Sequence, residues 1–273
     1  MTDHYAVFGN PIAHSKSPVI HAAFARQTGQ DMDYTALLAP LDGFAACVAA
    51  FRAGGGKGAN VTVPFKEAAW RLATRTTARA EAAQAVNTLR FDGIEVLGDN
   101  TDGAGLVADL TRNLGLDLKG RRILLMGAGG AARGVIQPLL GEGPAMLFIA
   151  NRTPQRAIEL AERFAGLGPV RGGGYEDLVG TAYDLVINAT AASLAGELPP
   201  LPDGVYASGA LAYDMMYGRD TPFLQHARAA GARTADGLGM LVEQAAEAFY
   251  VWRGVRPQTT PVIALLRGES VSR

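Results

Sequence analysis

The run Arg122-Ile123-Leu124-Leu125-Met126-Gly127-Ala128-Gly129-Gly130-Ala131-Ala132 decides how the second half of this chain folds. Ile123 to Met126 are apolar without a break, as in a strand covered on both faces, and the glycine-rich turn leads straight into a helix expected from Gly130 to Leu140. A G-x-G-x-x-G spacing standing alone is weak; between a strand and a helix it acquires a physical meaning. Gly127 permits the tight turn, Gly129 lets the backbone approach a pyrophosphate, and the small Ala132 at the third position allows close packing of helix on strand. Free amides in the first helical turn supply the positive end that holds phosphates. Gly127, Ala128, Gly129, Gly130 and Ala131 are therefore candidate dinucleotide contacts, the competing reading being a glycine-rich surface turn without a ligand.

Downstream the pattern continues with a strand from Ala145 to Ala150, a helix from Pro154 to Phe164, and short strands at Leu185 to Asn188 and Val205 to Ser208. Apolar strands alternating with helices indicate a parallel sheet covered on both faces. At the end of the second strand an NAD-binding domain usually carries Asp or Glu for the ribose hydroxyls. Here the residues are Asn151-Arg152-Thr153, with Arg156 one helical turn on. A carboxylate would repel a 2′-phosphate whereas a guanidinium grips it bidentately, so these residues point to NADP (NADPH). The alternative is an Arg152 that caps a surface helix and meets only water.

The first hundred residues also alternate. Strands are expected at Tyr5 to Phe8, Tyr34 to Leu38 and Ala59 to Val63, with helices from Pro18 (capped by Ser17) to Gln27, from Leu41 to Arg52 and from Lys66 to Leu72. Val86 to Arg90 and Ile94 to Leu97 flank Asp92-Gly93, a two-residue hairpin turn. An amphipathic helix from Asp102 to Leu114 leads into the second domain, and helices at Leu238 to Trp252 and Pro261 to Arg267 end the chain.

Composition removes several classes of function. With 25 Lys and Arg against 26 Asp and Glu in 273 residues, there is no basic field for nucleic acid or an anionic membrane. No signal-peptide pattern precedes Tyr5 and no run of 18 apolar residues occurs, so a cytoplasmic protein that does not enter a membrane is expected. The single cysteine, Cys47, lies in an apolar helical stretch and reads as a small hydrophobe; His4, His14, His21 and His226 lack metal-site spacing, and no metal is expected. A monomer and a homodimer are equally compatible with this surface composition.

Polar residues collect where the first-domain strands end, the usual place for a site in an open α/β sheet. These are Ser15 and Ser17, then Asn60, Thr62 and Lys66, then Asn87, then Asp99, Asn100, Thr101 and Asp102. Such a set suits a small polyhydroxylated ligand held at several points. A ketone reduced by hydride needs a proton donor for the incipient alkoxide; Lys66 is the candidate, with Asp102 to orient its ammonium and relay the proton. Taken locally, Lys66 also fits a surface lysine at a helix start, and Asp102 a helix cap.

Together these segments resemble the shikimate dehydrogenase family over nearly the whole chain. The resemblance rests on Gly9-Asn10-Pro11 with Ser15-Lys16-Ser17-Pro18, Asn60-Val61-Thr62-Val63-Pro64-Phe65-Lys66, Ala85-Val86-Asn87-Thr88 and Gly98-Asp99-Asn100-Thr101-Asp102-Gly103. It continues through the Gly127 turn, Asn151-Arg152-Thr153, Asn188-Ala189-Thr190, Tyr213-Asp214-Met215, Thr221-Pro222-Phe223-Leu224 and the run from Asp236 to Gln244. The resemblance implies reversible, NADPH-dependent reduction of 3-dehydroshikimate to shikimate in chorismate and aromatic amino-acid biosynthesis. By it, Lys66 and Asp102 are the catalytic pair; Ser15, Ser17, Thr62, Asn87, Tyr217 and Gln244 surround the substrate, whose carboxylate meets the serines. The glycine turn, Asn151, Arg152, Thr153, Arg156, Thr190, Met215 and Gly237 fall on the NADP side.

The implied fold is α/β with two domains: an N-terminal substrate domain (1–101), a Rossmann-type NADP-binding domain (102–237), and C-terminal helices (238–273) that return to the first, leaving the site in a cleft. Two stretches depart from the family pattern. Ala191-Ala192-Ser193 replaces a serine-rich segment followed by glycine, and Ala207-Ser208-Gly209-Ala210-Leu211-Ala212 replaces a plainer strand. A relative acting on quinate, or with relaxed cofactor choice, is the nearest alternative, and a non-catalytic NADP-binding regulator a more distant one.

Overall fold

In the computed structural model, which describes residues 2–190, 192 and 196–268, the chain divides into two units: Met1–Gly105 with Leu241–Arg273, and Leu106–Met240. The first is built on a six-stranded sheet of order β2-β1-β3-β5-β6-β4. Its strands are β1 (Asp3–Gly9), β2 (Met32–Leu38), β3 (Gly56–Val61), β4 (Arg75–Thr76), β5 (Thr88–Asp92) and β6 (Glu95–Asp99). The continuously apolar Tyr5 to Phe8 are buried in β1, which pairs in parallel with β2 and β3 on its two sides. β5 runs antiparallel to both β3 and β6, and the short β4 pairs in parallel with β6 at that edge.

Helices α1 (Ser17–Thr28), α2 (Phe44–Ala53), α3 (Lys66–Leu72) and α4 (Ala78–Ala83) connect these strands. α1 has Pro18 in its first turn and stops at Gly29, which takes φ +64. Ser17 is not its cap: Ser17 is already helical, Lys16 occupies the cap position, and the Ser15 hydroxyl accepts the Ser17 N–H at 3.3 Å. β3 starts and stops earlier than the apolar run suggests, leaving Thr62 and Val63 in the following loop. The hairpin turn is also one residue later than expected. Asp92 pairs with Glu95, and Gly93-Ile94 forms the turn because only Gly93 adopts the positive φ, +55, that it requires.

The second unit is an all-parallel sheet of order β12-β11-β10-β7-β8-β9, the doubly wound arrangement whose strand order reverses between β7 and β10. Its strands are β7 (Arg122–Met126), β8 (Met146–Ala150), β9 (Val170–Gly173), β10 (Tyr183–Asn188), β11 (Tyr206–Asp214) and β12 (Arg233–Asp236). Ile123, Leu124, Leu125 and Met126 of the central strand are completely buried. The small-residue stretch at Ala207 to Ala212 is a bulge in β11. Tyr183 pairs with Tyr206 but Leu185 with Leu211, and the surplus residues turn outward through Gly209 at φ +73.

Helix α5 (Asp102–Ala108) runs on through a widened π turn, Asp109–Asn113, whose buried Asp109 accepts hydrogen bonds from Tyr213 Oη at 2.6 Å and Asn113 Nδ2 at 2.9 Å. The change from one unit to the other falls inside this helix, and again inside the helix Leu238–Arg253. Among the described residues no helix is long and apolar enough to cross a membrane.

Candidate active site

In the second unit, every candidate at the nucleotide side sits at the C-terminal end of a parallel strand or in the segment that follows. Gly127 follows β7 with φ +109, and a Cβ there would stand 3.0 Å from the Ala189 carbonyl oxygen, so conformation and close approach both demand glycine. Gly129 is exposed and precedes the helix α6 (Gly130–Gly141); nothing lies within 4 Å of where its Cβ would be. A side chain would fill that opening, which lies over the free amides of the first helical turn. The arrangement fits a pyrophosphate. Ala132 is fully buried, as its packing position requires.

Asn151 follows β8 and locks the next loop: its N–H donates to Gly173 O at 3.1 Å and its Nδ2 to Thr153 O at 2.9 Å. Arg152 and Thr153 are exposed on this loop, and Arg156 on the first turn of α7 (Pro154–Phe164). No carboxylate stands at the end of β8, so two exposed guanidiniums and a hydroxyl are the groups available to an adenosine phosphate there. Burial raises the nearby Tyr175 phenol above its ordinary pKa, with the Arg152 charge opposing. Thr190 is turned back on β10, its N–H and hydroxyl both donating to Asn188 Oδ1 (3.1 and 2.7 Å). Met215 N–H bonds Asn188 O at 3.0 Å and Gly237 N–H bonds Met216 O at 2.9 Å; a Cβ on Gly237 would collide with the Met215 carbonyl. Tyr217, half-buried beyond β11, belongs to this second unit and not to the one that holds the other substrate candidates. Ala191 and Ser193 lie outside the described residues.

The first unit gathers the reactive groups. Lys66 Nζ donates to Asp102 Oδ2 at 2.5 Å, with side-chain exposures of 19% and 8%. The other Asp102 oxygen accepts from Asn87 Nδ2 at 2.8 Å. Asn87 is held in this orientation because its Oδ1 accepts from the Thr101 N–H (2.8 Å) and the Thr88 hydroxyl (2.9 Å), and a backbone N–H can only donate. The same Nδ2 also reaches Gln244 Oε1 at 3.3 Å, while Gln244 Nε2 donates to Leu241 O at 2.8 Å. Asn60 donates to Asn87 O and to Thr88 Oγ1, both at 3.1 Å, and accepts from the Tyr34 hydroxyl at 2.7 Å. Burial pushes that phenol well above its usual range, with Ser17 beside it opposing.

Thr62 stands against Gly9, where a Cβ would meet its Cγ2, and buried Ser17 and half-buried Ser15 begin the loop-to-helix transition above β1. The ammonium of Lys66 carries three N–H donors and uses one on Asp102 among the described residues. Its remaining donors and the serine, threonine and amide groups are of the kinds that can hydrogen-bond a small, oxygen-rich molecule and supply a proton to one of its oxygens. One part of this assembly escaped the reading of the sequence: Tyr34 looked only like a strand residue. Among the described residues no cluster of His, Cys, Asp and Glu is placed to hold a metal ion.

Comparison with known proteins matches three family models in chain order. They are the shikimate dehydrogenase substrate binding domain (residues 7–89), shikimate/quinate 5-dehydrogenase (109–195) and the shikimate 5′-dehydrogenase C-terminal domain (237–267). A shikimate dehydrogenase (NADP(+)) of Dechloromonas aromatica is 65% identical, covering 100% of both chains. Among solved structures, an Ael1 enzyme from Pseudomonas putida superposes with a TM-score of 0.94 at 50% identity (97% and 98% coverage). The shikimate 5-dehydrogenase of Thermus thermophilus in complex with NADP(H) and shikimate gives 0.86 at 33% (98% and 99%).

Proposed function

This chain belongs to the shikimate dehydrogenase family, and from that premise we propose how its residues divide the reaction. It is an NADP-dependent oxidoreductase that interconverts 3-dehydroshikimate and shikimate in aromatic biosynthesis. We assign the substrate to residues 1–101 with 238–273 and NADP to residues 102–237. NADPH, when bound, supplies the hydride for the substrate carbonyl carbon. Gly127 to Ala131 would hold its pyrophosphate, Asn151, Arg152, Thr153 and Arg156 its adenosine phosphate, and Thr190, Met215 and Gly237 its other end.

Lys66 hydrogen-bonds the carbonyl oxygen and gives it a proton as negative charge develops there. Asp102, pinned through one oxygen by Asn87 and through the other by Lys66, keeps the ammonium aimed and compensates its charge. In the oxidative direction the neutral amine takes the hydroxyl proton and Asp102 helps pass it on. Ser15 and Ser17 bind the substrate carboxylate, and Thr62, Asn87, Tyr217 and Gln244 its oxygens. The observation that carries this reading is the Lys66–Asp102–Asn87 assembly, a proton donor backed by a carboxylate whose two oxygens are both held.

The test follows NADPH absorbance with purified protein, offering shikimate and quinate with NADP and with NAD. Shikimate with NADP is expected to give the highest kcat/KM; folded protein inactive on shikimate with both cofactors overturns the substrate assignment, and a quinate preference replaces it. Lys66→Met should lower kcat by about 10²- to 10⁴-fold with little change in shikimate affinity. A loss confined to KM would make Lys66 a binding residue only.

A further inference from the structure

Arg79 lies outside every group assigned above, yet its guanidinium bonds two carboxylates of the first unit at once. Its Nε donates to Asp99 Oδ1 at 2.7 Å and its Nη2 to Asp99 Oδ2 at 2.6 Å, a bidentate pair; the same Nη2 reaches Glu247 Oε1 at 3.1 Å. Asp99 is nearly fully buried and also accepts from the Thr77 hydroxyl (2.6 Å) and the Asn100 N–H (2.7 Å). Burial alone would raise this carboxyl; Arg79, with the Thr77 hydroxyl and the Asn100 N–H, outweighs it and holds Asp99 below its ordinary pKa.

Both acidic partners of Arg79 lead to the reacting groups. From Asp99 the path runs through Asn100, whose Oδ1 accepts the Asp102 N–H at 3.1 Å while its Nδ2 is tied to Ala85 O at 2.9 Å. Glu247 lies one helical turn beyond Gln244 on the same face of the helix Leu238–Arg253. The two arms meet again on one amide, because Asn87 Nδ2 donates to both Asp102 Oδ1 and Gln244 Oε1. Arg79, Asp99, Asn100, Asp102, Asn87, Gln244 and Glu247 thus close a ring whose two arms are joined by the guanidinium at one end and by the Asn87 amide at the other.

We propose that Arg79 is a positioning residue that fixes the carboxylate of Asp102 and the amide of Gln244 relative to one another by sharing its guanidinium between Asp99 and Glu247. The inference rests on the assignment of Asp102 and Gln244 made above. A fork of N–H donors is needed to hold Asp99 at two points and still reach Glu247, so charge alone does not suffice and lysine does not substitute.

The experiment compares Arg79→Lys, Arg79→Ala, Asp99→Asn and Glu247→Gln with the parent enzyme, with Lys66→Met run alongside. Displacing a catalytic group by about 1 Å costs up to about 10²-fold. Arg79→Lys is therefore expected to lower kcat and raise the shikimate KM, each by about 10-fold, while NADP binds with unchanged affinity and stoichiometry. Asp99→Asn should act mainly on kcat and Glu247→Gln mainly on the shikimate KM. Millimolar ethylguanidine should restore part of the activity of Arg79→Ala. Parent values of kcat and KM in Arg79→Lys and Glu247→Gln overturn the proposal. So does a fall in kcat at constant KM that matches a fall in NADP-binding stoichiometry, which marks loss of folded protein. If Arg79→Ala does not fold, the two conservative variants decide. An inactive Lys66→Met beside a fully active Arg79→Lys removes this inference alone; a fully active Lys66→Met removes the catalytic pair as well.

Discussion

Acidification from pH 7 to pH 5 should weaken the first unit through one side chain that takes no part in the reaction. His21, on α1, has no exposed surface, and among the described residues neither ring nitrogen has a hydrogen-bond partner. It stacks on Tyr34 with ring centroids 4.2 Å apart, and Trp252 and Phe249 lie at 5.3 and 6.3 Å. Burial lowers its pKa to about 3 from the ordinary 6.5, with Asn60 nearby opposing. The folded protein therefore keeps the imidazole neutral, while the unfolded chain takes up a proton near pH 6.5. Its contribution is fully present above pH 6.5 and is lost as the pH falls from there towards 3, at about 1.4 kcal/mol per pH unit, or roughly 2 kcal/mol by pH 5. The fold itself provides the assay. Both tryptophans, Trp70 and Trp252, belong to the first unit, so their fluorescence during urea unfolding reports that unit alone. Replacing His21→Phe changes packing by an amount that does not depend on pH. Between pH 7 and pH 5 the variant should lose about 2 kcal/mol less stability than the parent. Parallel losses in the two proteins would refute the reasoning, because they would mean that His21 is protonated equally in the folded and unfolded states.

Two further outcomes concern the second unit. Arg152→Gln should raise the KM for NADP by about 10- to 100-fold, the worth of a charge-assisted contact, and leave that for NAD nearly unchanged; an equal effect on both cofactors would show that Arg152 does not meet the 2′-phosphate. Tyr213→Phe leaves the buried Asp109 carboxylate without its shortest hydrogen bond, at a cost of about 2 kcal/mol in urea unfolding followed by circular dichroism. Adding Asp109→Asn should recover part of that loss, and a single-variant cost below about 0.5 kcal/mol would count against the pair.

The sequence made the central parts of both sheets legible because they obey one rule of burial. Ile123 to Met126 and Tyr5 to Phe8 are covered on both faces, so unbroken apolar runs mark them. The two edges of the second sheet obeyed other constraints and were missed. In Val170–Gly173 the glycines are required because a Cβ on Gly172 would enter the Ala157 backbone of α7, and glycines erase a strand's signature. Arg233–Asp236 is short, polar and similarly silent. At the site, the residue types and loops could be read, but not their meeting: Lys66 and Asp102 lie 36 positions apart and join only through the fold. Arg79 is the sharper case. In an alanine-rich helix it reads as a solvated charge, and its function depends on Asp99 and Glu247, 20 and 168 positions away. The Ser17 cap failed for a local reason: Ser17 is itself the first helical residue, and its N–H is taken by the Ser15 hydroxyl.

The division of the chain also has a consequence for its birth. The second unit is one contiguous segment, Leu106–Met240, whereas the first is made from two segments that flank it. During synthesis the nucleotide-side unit has all of its sequence as soon as Met240 is clear of the ribosome. The substrate-side unit, although its synthesis starts earlier, must wait for the helix that brings Gln244, Glu247 and Trp252. Until then Arg79 lacks Glu247, Asn87 lacks Gln244, and the Leu89 carbonyl lacks the Trp252 indole that bonds it at 2.9 Å. The order of assembly is therefore the reverse of the order of translation, and a nascent chain halted short of that helix would present a finished nucleotide fold beside an open, aggregation-prone sheet.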